Sequence, residues 1–187
     1  MLNKKFFQSL NDEHNSYESQ RKAIIGESNT ILHSSKRVIF ALHRGDIDKA
    51  IVSLEEIERS LIGLEKQFSF ARLNAEGSYK AGVEEYVEAK MLYQIIKGEK
   101  IDIIKGVVIS FDSYLAGLCD VMGELVRRAI NKAATGEYDE VRVARDVINE
   151  IMGELVEFDM TGYLRTKYDQ AKSNLRKIEQ IMYEVRS

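Results

Sequence analysis

Proline is absent from all 187 residues of this chain. Because proline interrupts helices, its absence leaves long segments able to form continuous helices. Alanine, leucine, isoleucine, glutamate and lysine are abundant, and no segment shows the alternation of apolar and polar residues that is typical of strands. The sequence therefore predicts an all-α fold, a bundle of about six or seven helices that occupies residues 1–187 as one domain.

Glycines and capping residues divide the chain into predicted helices. These cover residues 4–43, from 46 or 48 to 70, 78–96, 110–134 with Ser110 as the cap, 138–157 and 161–185. Residues 98–109 fit either an irregular segment or a turn of helix. The first helix would be roughly 60 Å long. A small monomer cannot cover the apolar face of such a helix, so we expect it to pack against other subunits.

Charge and cysteine content narrow the range of functions. The net charge is −3, and residues 1–50 are the only net-basic third, with 8 Lys or Arg against 6 Asp or Glu. The chain has no global basic surface for nucleic acid, no apolar run of membrane-spanning length and no secretory signal. The lone Cys119 cannot form an intramolecular disulfide and fits a buried apolar role. We expect a cytoplasmic protein.

Two pairs of acids carry the strongest chemical signal. Glu85 and Glu88 stand at i, i+3, and Asp120 and Glu124 stand at i, i+4, so each pair shares one side of a helix. Apolar residues surround both pairs. If the two helices pack together, the carboxylates repel one another unless a cation or shared protons intervene. Oxygen ligands of this kind favour Mg²⁺ or Mn²⁺. The alternative is that both pairs lie on ordinary solvated helix faces.

Basic residues on the first helix suit phosphate groups. Lys36-Arg37 and His43-Arg44 are separated by seven residues, or two helical turns, and so lie on nearly one face. Arg127 follows Glu124 by three residues and would reach either that acid or a bound phosphate. A solvated charged face, with a salt bridge from Arg127 to Glu124, is the alternative.

Several other sites are excluded by the sequence. A di-iron bundle needs Glu-x-x-His twice, and the three histidines all lie in the first helix without that spacing. Zinc motifs of the His-x-Glu or Cys-x-x-Cys type, phosphate-binding P-loops and dinucleotide-binding glycine motifs are also absent. The apolar stripe of the last helix is interpreted as core or partner packing.

Four segments, in order, resemble the translin and translin-associated factor X (TRAX) family. They are SSKRVIFALHRGD (34–46), AGVEEYVEAKML (81–92), SFDSYLAGLCDVMGELVRRAINKAATGEYD (110–139) and GYLRTKYDQAKSNLRKIEQIMYEVR (162–186). The chain differs from the family in having Ala81 in place of a proline and a much shorter stretch between the two acid-bearing helices. It is therefore similar to a compact prokaryotic or archaeal TRAX-like homologue.

The resemblance implies a function. The acids of the TRAX motif match Glu85, Glu88, Asp120 and Glu124, which would be the catalytic residues and would hold one or two Mg²⁺ or Mn²⁺ ions. The expected activity is endoribonuclease cleavage of single-stranded RNA, with single-stranded DNA as a further ligand, inside a hollow homo-octamer. The nucleic-acid-binding residues would be Lys36, Arg37, His43, Arg44 and Arg127. The alternatives are a catalytically silent, translin-like binding protein and a structural protein whose acids bridge lysines.

Overall fold

A computed structural model describes residues 1–185 and contains seven α-helices and no strand in that range. The helices are α1 (Lys4–Arg44), α2 (Ile47–Gln67), α3 (Phe70–Asn74), α4 (Gly77–Ile96), α5 (Phe111–Ala134), α6 (Tyr138–Leu155) and α7 (Gly162–Glu184). The all-α prediction is confirmed. Arg186, the last residue of the closing sequence motif, lies outside the described residues. Within residues 1–185, no helix is both long and apolar enough to cross a membrane.

The second helix is shorter than predicted. It ends at Gln67 because Phe68 adopts an extended conformation, with φ −131° and ψ 145°. Ser69 then caps α3, a separate short helix, since its side chain accepts a hydrogen bond from the backbone N–H of Arg72 at 3.3 Å. Ser110 caps α5 in the same way, as predicted. Residues 97–110 contain no helix, which resolves the ambiguous segment as irregular.

Three long helices run in the same direction. Ser28 of α1 lies against Gly82 of α4, and the charge of Lys36, further along α1, acts on Glu85, further along α4. Helix α5 also runs parallel to α4. Lys80 pairs with Asp112 near the start of both helices, and Val87 contacts Gly117 one to two turns later. The irregular segment 97–110 therefore returns the chain along the length of the bundle.

Helix α7 joins this parallel set, while α2 and α6 run in the opposite direction. Tyr163 and Lys167, at the start of α7, reach Glu84 and Asp120 respectively. Arg128, near the end of α5, pairs with Glu140 at the start of α6. A left-handed Gly45, with φ 80°, reverses the chain between α1 and α2. As a result, the N-termini of α4, α5 and α7 lie at one end of the bundle.

The apolar stripe of α1 is buried only in its second half. Ile24, Ile31, Val38 and Leu42 belong to the hydrophobic core, whereas residues 1–17 are all exposed. The first part of α1 therefore projects from the end of the bundle at which α4, α5 and α7 begin. This agrees with the expectation that one subunit cannot cover the whole helix.

Glycine at position 117 allows α4 and α5 to approach closely. A Cβ atom at this position would lie 2.6 Å from Cγ1 of Val87, 2.8 Å from its Cβ and 3.0 Å from the backbone oxygen of Glu84. Two of these neighbours cannot move without shifting the α4 backbone. The close approach places Asp120, one turn after Gly117, beside the acids of α4.

We predict that Gly117→Ala lowers the free energy of unfolding by about 1–3 kcal/mol, because the added methyl group forces the two helices apart. The matched control is Gly153→Ala in α6, where no atom lies within 4 Å of the new Cβ. The control should raise stability by about 0.5–1 kcal/mol, because alanine favours helix. Urea unfolding measures both variants. Equal stabilisation by the two substitutions would contradict the close approach.

Candidate carboxylate site

The structure brings together the four acids that the sequence analysis selected. Glu88 is the most deeply placed, with only 9% of its surface exposed. Burial raises its pKa from an ordinary value near 4.5 to about 9, and the negative charges of Asp120, Glu85 and Glu124 contribute to that rise. These four residues, called the acid cluster below, therefore influence one another electrostatically across the α4–α5 interface.

Glu85 lies at the outer side of the acid cluster and is half-buried. Burial raises its pKa, and Asp120 and Glu124 raise it further, while the positive charge of Lys36 opposes them. Lys36 of α1 thus acts on the acid cluster through its positive charge. Asp120 and Glu124 thus raise the pKa of both Glu85 and Glu88, but of these two only Glu88 is buried.

Lys167 of α7 supplies a positive charge to the acid cluster. Its ammonium group donates a hydrogen bond to Asp120 and lies 4.0 Å from a carboxylate oxygen of Glu84. Partial burial lowers the pKa of Lys167, but the hydrogen bond to Asp120 and its negative charge more than compensate, so the pKa is raised. Tyr163, one turn earlier, donates its hydroxyl to Glu84 at 2.7 Å. Helix α7 therefore holds an acid from each of α4 and α5.

His43 of α1 forms a hydrogen bond with Glu124 of the acid cluster. Its Nε2 atom lies 2.5 Å from Oε2 of Glu124, and only 6% of its side chain is exposed. Arg127 reaches the same oxygen at 3.4 Å. Burial raises the pKa of Glu124, but the contacts with His43 and Arg127 outweigh burial and lower it overall. The acid cluster thus contains one carboxyl with a strongly raised pKa and one with a lowered pKa.

The predicted nucleic-acid-binding residues fall into two groups. Lys36, His43 and Arg127 act on acids of the cluster, and of these three only His43 is largely buried. Arg37 and Arg44 are exposed on α1, where Arg44 pairs with Asp46. His43 faces Glu124, so its Nε2 atom is already engaged. Arg127 also stacks over the ring of Phe40, with 5.0 Å between the guanidinium carbon and the ring centroid. This contact fixes the arginine between α1 and the acids.

Sequence reasoning missed the contribution of the last helix. It assigned α7 to packing, which Ala171, Ile178 and Met182 do serve. Lys167 and Tyr163, however, face the acids instead of the core. Lys167 lies within the KYD portion of the closing motif, and this was the available signal. Periodicity alone could not find either residue, because a lysine beside an apolar stripe is also typical of a solvated face.

Cys119 has the buried role that the sequence predicted. It is 2% exposed and belongs to the apolar interior. Burial, assisted by the negative charge of Asp120, raises the pKa of its thiol to about 12. A thiol with this pKa is a poor nucleophile at neutral pH.

The fit of the acid cluster to a divalent cation rests on its chemistry. No three His, Cys, Asp or Glu side chains within residues 1–185 are arranged closely enough to hold a metal ion. Asp120 and Glu124 instead contact Lys167 and His43. The donors are nonetheless carboxylate oxygens, the ligands that Mg²⁺ and Mn²⁺ prefer. Burial is the largest cause of the raised pKa of Glu88, and the neighbouring carboxylates add a repulsion that a cation would relieve. On these grounds the residues suit such an ion.

The fold is a helical bundle with an acid cluster between parallel helices, which places the chain among all-α proteins that carry a polar site between helices. Within that class, the family model described as "Translin family" matches residues 19–186. Because this match covers most of the sequence, the chain belongs to the translin family.

Two curated relatives support the assignment. The chain is 29% identical to Translin of Gallus gallus over 91 residues, which cover 48% of this chain and 40% of that protein. It is 31% identical to the Translin-associated protein X homolog of Schizosaccharomyces pombe over 127 residues, which cover 59% of this chain and 54% of that protein. The aligned regions thus span about half the length of these relatives.

Solved structures confirm the fold. The crystal structure of apo-NeC3PO superposes with a TM-score of 0.86 at 22% identity and covers 99% of this chain and 98% of that chain. A structure of AfC3PO in complex with duplex RNA gives a TM-score of 0.81 at 21% identity and covers 96% of each chain. At these identities the likeness establishes the arrangement of the helices.

We predict that Glu88→Gln stabilises the metal-free protein as pH rises. Between pH 4.5 and about 9, the folded state keeps the Glu88 proton and the unfolded state releases it. The free energy of unfolding of the wild-type protein therefore falls as the pH rises. Glutamine does not ionise. The variant should therefore gain on the wild type by up to about 1.4 kcal/mol per pH unit in this window.

Urea unfolding in EDTA at pH 5, 7 and 8.5 measures the difference. Glu56→Gln, at an exposed position of α2, is the control and should track the wild type at every pH. If Glu88→Gln also tracked the wild type, Glu88 would not be a buried, repelled carboxyl.

Proposed function

We propose that this chain is a metal-dependent endoribonuclease that binds and cleaves single-stranded RNA. The observation that carries the proposal is the acid cluster, in which burial and three neighbouring carboxylates raise the pKa of Glu88 to about 9. Acids close enough to raise one another's pKa destabilise the protein, and strongly perturbed acids of this kind are concentrated at functional sites. A cluster that served stability alone would pair each acid with its own base.

The four acids of the cluster, Glu85, Glu88, Asp120 and Glu124, would hold Mg²⁺ or Mn²⁺. The bound cation would neutralise the cluster and supply Lewis-acid activation of the phosphodiester and of the attacking water. Ionisation of Glu88 then accompanies binding, because a carboxylate must lose its proton to act as a ligand.

The surrounding side chains position the substrate and the acids. Arg37 and Arg44 are exposed on α1 and would bind phosphates along the strand. Arg127, held over Phe40, would orient the phosphate nearest the acids. His43 fixes the carboxylate of Glu124 through its hydrogen bond. Lys167 limits the negative charge around Asp120, and its ammonium group would attract a phosphate once the acids engage a cation.

The comparisons support RNA as the substrate class. The AfC3PO structure named above contains duplex RNA, and the chain shares its fold and belongs to the translin family. Single-stranded RNA is the proposed substrate and single-stranded DNA a proposed further ligand. The assembly we propose is a closed homo-oligomer, by family resemblance an octamer with the acid clusters facing its interior.

A second candidate is a catalytically silent protein that binds single-stranded nucleic acid. It is favoured by the ion pair of Asp120 with Lys167 and by the hydrogen bond between Glu124 and His43, which satisfy two of the four acids without a metal. In that case the acids would be structural and the basic residues of α1 would carry the whole function. RNA binding without cleavage would distinguish this candidate.

For cleavage, we predict that a labelled single-stranded RNA is cut in Mg²⁺ or Mn²⁺ and remains intact in EDTA. Glu88→Gln preserves side-chain size and removes the charge, so it should reduce the cleavage rate by at least about 100-fold. RNA affinity should stay within a factor of about two, because the acids do not attract phosphate. Gel-resolved single-turnover cleavage and fluorescence anisotropy measure the two quantities.

The control is again Glu56→Gln, which should cleave at the wild-type rate. Duplex RNA and single-stranded DNA of the same sequence define the substrate preference. Cleavage that persists in Glu88→Gln would count against the acid cluster as the active site. Unchanged binding with no cleavage by the wild-type protein in either metal would establish the silent alternative.

For binding, we predict a strong dependence on salt, because contacts between basic residues and phosphates release counterions. The double variant Arg37→Ala/Arg44→Ala should reduce the slope of log affinity against log salt by about 1.4, since each single-strand contact contributes about 0.7. Lys66→Ala, at an exposed position near the opposite end of the bundle, should leave the slope unchanged. A flat salt dependence in the wild type would contradict the role assigned to α1.

A further inference from the structure

The first part of α1, residues 4–17, is called the arm. Every residue of the arm is exposed, and its length of about 20 Å follows from the helical rise. At its base, the guanidinium of Arg72 stacks over Tyr17, with 4.0 Å between the guanidinium carbon and the ring centroid. Beyond Tyr17, the exposed apolar residues of the arm, Phe6, Phe7 and Leu10, lie within about 100° of one another around the helix.

The apolar face of the arm continues the face that α1 buries in the bundle. Leu10, Tyr17, Ile24, Ile31 and Val38 follow one another at intervals of seven residues, which brings them back to nearly the same side of the helix. The last three are buried and the first two are exposed. The same apolar stripe is thus buried in the core along the second half of α1. Along the first half, no part of residues 1–185 buries it.

The sequence of the arm is a weak helix former. Asn11, Asp12, His14, Asn15 and Ser16 all have low helix propensity. Helices built from such residues depend on the packing of an apolar face for their stability. A stable helical arm therefore requires a surface on which to pack.

A groove of suitable chemistry lies at the same end of the bundle as the arm. It has a cavity volume of about 1020 Å³ and is formed by the irregular segment 97–110, the start of α5 and the α6–α7 connection. Phe111 is 76% exposed and Ile103 is 70% exposed, and Val108 and Phe158 beside them are also exposed. Large apolar side chains concentrated in one surface groove indicate a site of protein association.

We propose that the arm of one copy of this chain packs into the apolar groove of a second copy, and that the second copy returns the contact. The arm cannot fold back onto its own groove, because α1 is one continuous helix from Lys4 to Arg44. Since arm and groove lie at the same end, a two-fold axis at that end brings each arm to the partner's groove. One charge pairing adds to this fit, because Lys4 and Lys5 lie at the arm tip and Asp159 lines the groove, whereas Asp112 is already paired with Lys80.

This contact deepens the proposed function, since it rests on the closed homo-oligomer proposed above and assigns one interface within it. It places no residue in the acid cluster. Its failure is therefore separable from failure of the nuclease proposal, because particle mass reports the contact and cleavage reports the acids.

The test uses an arm variant, Phe7→Asp/Leu10→Asp, and a groove variant, Ile103→Asp/Phe111→Asp. Each should raise the dissociation constant of the two-fold pair by at least about 100-fold and lower the particle mass at least twofold, measured by light scattering and sedimentation. Val52→Asp, at an exposed apolar position of α2, is the control and should retain the wild-type mass. Thermal unfolding verifies that each variant remains folded.

Mixing the two variants provides the decisive result. The arm variant keeps an intact groove and the groove variant keeps an intact arm, so the mixture restores one contact per pair. Native mass spectrometry should then detect mixed pairs, and neither variant alone should form pairs. Wild-type mass in both variants, or a mixture without mixed pairs, overturns the arm–groove contact. A monomeric wild-type protein overturns both this contact and the closed assembly.

Discussion

The close packing of α4 against α5 is the constraint on which the rest of the structure depends. Gly117 allows the two backbones to approach where any Cβ would collide with Val87 and with the backbone of Glu84. Parallel alignment at this distance places acids of both helices near enough to the buried Glu88 to act on its charge. The electrostatic cost appears as the raised pKa of Glu88. A looser interface would admit water, which would weaken both the repulsion between the acids and the capacity of the site for chemistry.

The charge balance around the acid cluster depends on helices distant in sequence. Lys167 of α7 compensates Asp120, and His43 of α1 compensates Glu124. The positive charge of Lys167 also lowers the pKa of Glu88, but burial and the repulsion from the other acids outweigh it. This division explains why one carboxyl in the cluster keeps its proton near neutral pH while Glu124 readily ionises. It also means that α1 and α7 tune the site without belonging to the pair of helices that forms it.

Most of the fold and the acids of the site were accessible from sequence, whereas the contribution of α7 was not. Helical periodicity, capping serines and glycines predicted the long helices, and the spacing of the acids predicted that they share faces. The break at Phe68 was missed because an apolar stripe continues across it into Phe70. Lys167 and Tyr163 were missed because their significance comes from the packing of α7 on α4 and α5. Tertiary proximity of this kind leaves no trace in local spacing.

The irregular segment 97–110 has two structural roles. It returns the chain along the bundle so that α4 and α5 run parallel, and it also forms one wall of the apolar groove. The entropy of closing a loop grows only by about 0.6 kcal/mol for each doubling of its length. Insertions in this connection should therefore leave the acid cluster in place but reshape the groove wall. A longer connection would thus alter the surface that the chain presents at this end without moving the α4–α5 interface.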